Sequence, residues 1–186
     1  MESVFLSHLA RWANFYVIVG SSAGALTGLQ FVVMALIAQS GGATNRREIR
    51  AFGTPTVIHF CAALLIAVVM NMPWLAVSHL AACLATLAGI GTIYSLTVIL
   101  HARKPAGYQP DAKDWFWYAG VPLLAYVLLG VVTILAWSLA EWSLFVIAAL
   151  SVMFLFLGIR NSWDTVTYVA LQRAERDTAR PDRQHP

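Results

Sequence analysis

The chain has 186 residues, of which 59% are hydrophobic and only 11% are charged, and its formal net charge is +3. Soluble domains carry about 25% charged residues, and several apolar runs in this chain are long enough to cross a membrane. The composition therefore excludes an ordinary soluble domain and predicts a helical membrane protein. Cys61 and Cys83 both lie within apolar runs, so neither a disulfide framework nor a metal-binding spacing is predicted.

The apolar runs predict an all-α membrane protein with five transmembrane helices in one domain over residues 1–178. The spans fall at about residues 15–38, 55–70, 75–100, 115–139 and 143–159. A short amphipathic segment precedes the first span and is either an interfacial helix or an extension of that span. After the fifth span the pattern stays helical but turns polar. It predicts a cytoplasmic helix over residues 160–177 and a disordered tail over residues 179–186.

Local signals mark the boundaries of the spans. Thr54 and Pro55 predict the start of the second helix, with the threonine at the N-cap and the proline at the first helical position. A short polar break over residues 71–74 ends this span. The aromatic residues that precede the fourth span are typical of the membrane–water interface; they are Trp115, Trp117 and Tyr118.

The basic residues predict the orientation in the membrane. With five spans, one end of the bundle receives a single basic residue, Arg11, and the other end receives the remaining eleven. These are Arg46, Arg47, Arg50, Arg103, Lys104, Lys113, Arg160, Arg173, Arg176, Arg180 and Arg183. Because lysine and arginine are enriched on the cytoplasmic side, the bias predicts that the N-terminus is outside and the C-terminus is inside.

A stripe of small residues runs along the first span. Glycines recur there at every fourth residue, so a helix places them on one face with little side-chain bulk. In lipid such a face lets another helix approach closely, either a span of the same chain or the same span of a second subunit. In a homo-oligomer with an open axis, the face lines a pore. The candidate packing or pore-lining residues are Gly20, Ser21, Gly24, Thr27, Gly28 and Gln30.

Polar residues at the inner ends of three spans form a second candidate site. They are His59, His101, Arg160, Asn161 and Asp164. The two histidines are predicted at matching depth, which allows a proton-linked site or paired axial ligation of a haem. The alternative is a structural group of helix caps and salt bridges at the membrane boundary. One histidine pair is insufficient to predict a haem, so the sequence predicts no cofactor.

Familiar catalytic motifs are missing from the sequence. It has no nucleotide-binding loop, zinc-binding helix or calcium-binding loop, and no catalytic residue or metal site is predicted. Gly20–Gly24 matches the G-x-S-x-G string, but that motif needs a strand-to-helix turn and here lies within a predicted helix. An intramembrane hydrolase built on Ser22 and His79 lacks a third orienting group, so an enzyme ranks behind the other functions.

Three segments resemble parts of uncharacterised small integral membrane proteins of bacteria. They are Gly20–Gly28, Phe52–Phe60 and Gly158–Tyr168. The resemblance implies location in a bacterial inner (plasma) membrane and no particular activity. It gives weight to His59 and Asp164 among the polar residues.

Two functions are predicted. The first is a small homo-oligomeric channel or pore for an ion or small solute, with the small-residue face of the first span near the symmetry axis. The second is a non-catalytic scaffold or regulatory subunit that binds a partner through the helix over residues 160–177. No nucleic-acid partner is predicted, because the basic residues follow the membrane topology.

Overall fold

The computed structural model describes residues 2–39, 46–102, 115–135 and 140–178, and every regular element within these ranges is a helix. Five of the helices are long and apolar enough to cross a membrane, as the hydropathy pattern predicts. The chain is therefore a multi-pass helical membrane protein. The candidate spans are Ala13–Ala35, Thr54–Asn71, Val77–Leu100, Phe116–Leu135 and Trp142–Tyr168.

The described residues form six α-helices and one π-helical turn. In chain order they are α1 Glu2–Ala10, α2 Ala13–Gln39, α3 Arg46–Asn71, α4 Val77–Ala102, a π-helical turn Phe116–Gly120, α5 Val121–Leu135 and α6 Ala140–Thr178. The π-helical turn leads directly into α5, and the two together form the fourth span. Residues 136–139 of the predicted fourth span and the predicted tail over residues 179–186 lie outside the described residues.

The amphipathic segment at the N-terminus is a helix of its own. A turn at Arg11 and Trp12 separates α1 from α2, and the backbone N–H of Trp12 donates to the carbonyl of Leu9 at 2.9 Å. Phe5 and Leu9 are buried, and α1 contacts α4 and α6. Of the two alternatives left open by the sequence, α1 is therefore a separate packed helix and not an extension of the first span.

The predicted start of the second helix is wrong. Helix α3 begins at Arg46, so Pro55 lies inside the helix and not at its first position. The apolar part nevertheless begins at Thr54, which is where the span was predicted. A polar segment ahead of a membrane span can remain helical, and membrane helices tolerate proline because neighbouring groups satisfy the freed backbone. The N-cap pattern at Thr54–Pro55 thus coincides with a membrane boundary within a longer helix.

Two other boundaries differ from the prediction. The third span begins with α4 at Val77 and not at residue 75, because residues 72–76 between α3 and α4 are not helical. The indole N–H of Trp74 donates to the carbonyl of Val69 at 2.6 Å and holds this turn. The apolar stretch of α6 that could cross a membrane runs to Tyr168, beyond the predicted end of the fifth span at residue 159. Its buried side continues past that point at Asn161 and Thr165, one helical turn apart.

Helix α3 lies at the centre of the bundle, packed against α2 on one side and α6 on the other, while α4 packs against α5. Two glycines allow aromatic rings into these contacts. A Cβ at Gly91 would overlap the ring of Tyr126, and a Cβ at Gly158 would overlap the ring of Phe60. The rings therefore occupy the space that a side chain would need, and they join α4 to α5 and α3 to α6.

Candidate functional site

The packing contacts place polar residues of three helices at one level. Gly20 faces Ala67 across the α2–α3 contact, where a Cβ on the glycine would lie 3.2 Å from the alanine Cβ. The two helices run in opposite directions, so ten residues further along α2 and ten residues back along α3 bring Gln30 level with Val57. The Gly158–Phe60 contact, followed three residues in each direction, brings Asn161 to the same level.

We call this group of side chains the polar layer. Its members are Gln30 from α2, Thr56 and His59 from α3, and Asn161, Ser162 and Thr165 from α6. A direct bond supports the register, because the hydroxyl of Ser162 donates to Oε1 of Gln30 at 2.7 Å. The two amide side chains and the imidazole are almost completely buried: Gln30 and Asn161 are each 1% exposed, and His59 is 2% exposed.

Several polar atoms of the layer lack a hydrogen-bond partner within the described part of the chain. They are Nε2 of Gln30, Nδ1 of His59, and both Nδ2 and Oδ1 of Asn161. Each buried polar group left without a partner costs about 1–3 kcal/mol. In a membrane, buried polar groups face the bundle interior, where they either join helices by hydrogen bonds or mark solute pathways.

His59 stands between the polar layer and the aromatic core. Its ring lies 6.1 Å from Phe154 in a stacked arrangement and 6.3 Å from Tyr126, measured between ring centroids. Tyr126 and Phe154 are themselves in contact at 4.5 Å. The rings of His59, Tyr126 and Phe154 thus form one aromatic group that adjoins the polar layer.

A second set of side chains lies beside the layer, between α6 and the π-helical turn, and we call it the edge group. Its members are Trp117, Tyr118, Arg160 and Asp164. The guanidinium carbon of Arg160 lies 4.5 Å from the centre of the Trp117 ring. Arg160 Nε is 3.9 Å from Oδ2 of Asp164, and the hydroxyl of Tyr118 donates to the same oxygen at 2.8 Å. The cation and the carboxylate thus neutralise each other within the fifth span.

The π-helical turn positions both aromatic residues of this edge group. It spans Phe116–Gly120 at the start of the fourth span. An inserted residue in a helix changes the direction of the side chains around it, and such turns occur often at functional sites. Trp117 packs against Arg160, and Tyr118 bonds to Asp164, so neither behaves simply as the interfacial aromatic that the sequence indicates.

The structure unites part of the predicted inner cluster. Arg160, Asn161 and Asp164 lie within about one turn of α6, and His59 is within one turn of the level of Asn161. His101 is not at that level. Its position on α4 is ten residues, about 15 Å of helix rise, beyond Gly91, which packs against the Tyr126 ring beside His59. The backbone positions thus set the two histidines apart along the bundle, and their paired ligation of a haem stays a prediction that the sequence does not favour.

The predicted small-residue stripe divides between two surroundings. Gly20 packs against α3, whereas a Cβ added at Gly24 or Gly28 would meet nothing within 4 Å. Thr27 is half-buried, and its hydroxyl donates to the carbonyl of Ala23 on the same helix at 2.8 Å. Ser21 is exposed on the outer side of α2. Gln30 belongs to the polar layer and not to this open face.

Sequence reasoning missed some members of the site. The sequence does not distinguish Thr56 and Ser162 as members of a site, because single hydroxyl residues are common in membrane helices and usually bond to their own backbone. A helical period would have identified Thr165, which lies four residues beyond Asn161. No sequence signal predicts the π-helical turn that positions Trp117 and Tyr118.

No known family model matches the chain, and comparisons with curated proteins and with solved structures also give no match. The geometry of the polar layer is therefore the basis for assigning a function. Within the described ranges, no three histidine, cysteine, aspartate or glutamate side chains are grouped so that they could hold a metal ion. The polar layer itself offers amide, imidazole and hydroxyl groups, which are hydrogen-bonding groups without a fixed charge.

Proposed function

We propose that the protein is a small membrane channel that lets a small, uncharged, hydrogen-bonding solute pass through the polar layer of each subunit. One observation carries this proposal: buried polar atoms of Gln30, His59 and Asn161 lie at one depth of the membrane without partners in the described chain. A passing solute would supply the missing hydrogen bonds. Polar groups that bind weakly and at several points suit conduction, because the solute must also leave.

The chemistry of the layer favours an uncharged solute. Its side chains offer donors and acceptors but no unbalanced charge, since Arg160 and Asp164 form an ion pair at the edge. A bare ion would lose its hydration there without gaining an opposite charge, which is strongly unfavourable in a membrane interior. Urea and glycerol are therefore the probes of choice, because each carries several hydrogen-bonding groups and no charge.

The proposed channel is a homo-oligomer. Gly24 and Gly28 lie on a face of α2 that has free space around it within the subunit, which suits close approach of a second copy in lipid. The orientation with the C-terminus in the cytoplasm and the location in a bacterial inner membrane remain part of the proposal. Under this orientation the polar layer lies in the cytoplasmic half of the bilayer.

A flux measurement tests the proposal. The protein is reconstituted into liposomes, and stopped-flow light scattering follows their volume recovery in urea and in glycerol. We expect the wild type to raise solute entry above that of empty liposomes. Asn161→Leu removes three hydrogen-bonding groups and should slow entry about tenfold, which corresponds to a barrier higher by about 1.4 kcal/mol.

The matched control is Ser151→Ala on the same helix. Ser151 is equally buried, but its hydroxyl bonds to the carbonyl of Ile147 at 2.8 Å and offers nothing to a solute. Its replacement should leave the flux unchanged. Gln30→Leu is the second layer variant and should behave like Asn161→Leu. Wild-type flux equal to that of empty liposomes, or layer variants with full flux, would contradict the proposal.

The end of α6 favours a second function, that of a scaffold or regulatory subunit. The helix continues to Thr178, ten residues beyond the fifth span, and Leu171 on this extension is 65% exposed. An exposed leucine on a helix that leaves the membrane suits a partner helix. Truncation after Ala170 should remove a co-purifying partner and leave solute flux intact. A truncated protein that retains all its partners would exclude this second function.

A further inference from the structure

A cavity lies at the other end of the bundle, where the chain turns from α1 into α2. Its volume is about 430 Å³, and it is partly open to the surroundings. The residues that line it are His8, Arg11, Trp12, Leu144 and Phe145. Basic and aromatic residues from the N-terminal turn thus face apolar residues from the start of α6.

The aromatic residues give the cavity a defined wall. The Trp12 ring contacts Phe145 edge to face with centroids 4.7 Å apart, and it contacts Phe15 in the same manner at 5.6 Å. Backbone hydrogen bonds from Arg11 to His8 at 3.1 Å and from Trp12 to Leu9 hold the turn that carries them. The cavity is therefore formed by packed elements.

The cavity lies at the membrane boundary. The first span begins at Ala13, directly after Trp12, and the fifth span begins at Trp142, just before Leu144. Tryptophan at the ends of spans is typical of headgroup depth. The lining residues therefore stand where the phosphate groups of the lipids lie, with the apolar residues on the side of the acyl chains.

Arg11 is unusual in its location. Within the described residues it is the only arginine or lysine at this end of the bundle, since the others lie toward the opposite end: Arg46, Arg47, Arg50, Arg160, Arg173 and Arg176. A distribution that strongly excludes basic residues from one end leaves this one there for a local reason. Its side chain is exposed at the cavity, and a guanidinium group matches the oxygens of a phosphate with two parallel N–H donors.

We propose that this cavity binds the phosphate group of a membrane phospholipid. The guanidinium of Arg11 balances the single negative charge of the phosphodiester, and the imidazole of His8 and the indole of Trp12 flank it. Leu144 and Phe145 contact the glycerol and the first part of an acyl chain. The site is separate from the polar layer and does not depend on the proposed channel function.

Native mass spectrometry of the delipidated protein tests the proposal. The protein is titrated with dioleoylphosphatidylglycerol, with dioleoylglycerol, which lacks the phosphate, and with inorganic phosphate. We expect the phospholipid to bind about tenfold to a hundredfold more tightly than dioleoylglycerol, as charge-assisted hydrogen bonds require. Arg11→Gln should abolish this preference. Arg173→Gln makes the same charge change at the far end of α6 and should preserve it.

Three other outcomes would overturn the proposal. Competition by inorganic phosphate with equal affinity would show that the cavity recognises free phosphate, and would overturn the lipid as its source. Equal binding of the phospholipid and dioleoylglycerol, or equal phospholipid binding by Arg11→Gln and the wild type, would overturn phosphate recognition altogether. A thermal unfolding midpoint of Arg11→Gln close to that of the wild type would show that the variant is folded.

Discussion

The apolar core and the polar layer are enclosed to the same degree, but they are built differently. Leu84 and Leu129 in the core are fully buried, and the rings of Tyr126 and Phe60 fill the space that a side chain would need at Gly91 and Gly158. In the layer, Asn161 is also buried, yet neither polar end of its side chain has a partner in the described chain. The core is stabilised by close apolar packing, whereas the unpartnered polar atoms of the layer carry a free-energy cost that packing alone does not offset.

The difference separates residues that maintain the fold from residues that carry a function. A membrane protein with no solute to bind would be at least as stable with leucine in place of Asn161, because an apolar side chain of similar shape avoids the cost of burying an unpartnered polar group. We therefore expect substitutions in the polar layer to change the function and substitutions in the apolar core to change the stability. The predictions that follow test this division, from the core outward.

The largest effect on stability is expected from Gly91→Ala in the core. The added methyl would overlap the buried ring of Tyr126, so the free energy of unfolding, measured by SDS titration, should fall by about 1–3 kcal/mol. Gly89→Ala on the same helix is the matched control, because a Cβ there meets nothing within 4 Å. Equal stability of the two variants would show that the core is not closely packed at this contact.

Tyr118→Phe tests the edge group, in which the Tyr118 hydroxyl and the Asp164 carboxylate are hydrogen-bonded to each other. The variant loses the hydrogen bond to Asp164 and should be destabilised by about 1 kcal/mol, since the pair is partly exposed. Tyr16→Phe is the control, because the buried hydroxyl of Tyr16 has no hydrogen-bond partner within the described residues. Thermal unfolding in detergent compares the two. A loss of the same size in both variants would remove the distinction between satisfied and unsatisfied polar groups.

The smallest effect on the folded subunit is expected from Gly24→Leu on the open face of α2. A Cβ at this exposed position has no atom within 4 Å in the subunit, so the free energy of unfolding should change by less than about 0.5 kcal/mol. Light scattering after gel filtration should nevertheless show a smaller assembly than the wild type forms. Gly20→Leu, which meets Ala67, should instead destabilise the subunit. An unchanged assembly in Gly24→Leu would contradict this face as the subunit contact.

Much of the fold could be predicted because the membrane imposes strong rules. Apolar length gives the five spans, since a helix is the simplest segment that satisfies its backbone in lipid. The rules describe the membrane and not the helix, so they place the boundary at Thr54 but miss that α3 begins at Arg46. They also end the fifth span at the first polar residues, although Asn161 and Thr165 continue its buried side.

The site was only partly predictable for a related reason. Hydropathy orders residues by depth, and it brought Arg160, Asn161 and Asp164 together because they share one helix. It does not show which helices are neighbours or which side of a helix faces them. The sequence predicts that Gln30, one face round from the glycines, points inward, but it does not identify the partner Ser162 on α6. For His101, the depth estimated from one span end differed from the level set by the Gly91–Tyr126 contact.

Chemical labelling of residue 161 tests the central claim that solute reaches the polar layer. In a background with Cys61 and Cys83 replaced by alanine, Asn161→Cys is compared with Ala88→Cys, a buried position in the apolar core. The account predicts that a small methanethiosulfonate reagent modifies residue 161 in liposomes, that residue 88 stays unmodified, and that glycerol slows the reaction at residue 161. Equal resistance of the two positions to the reagent would contradict the account.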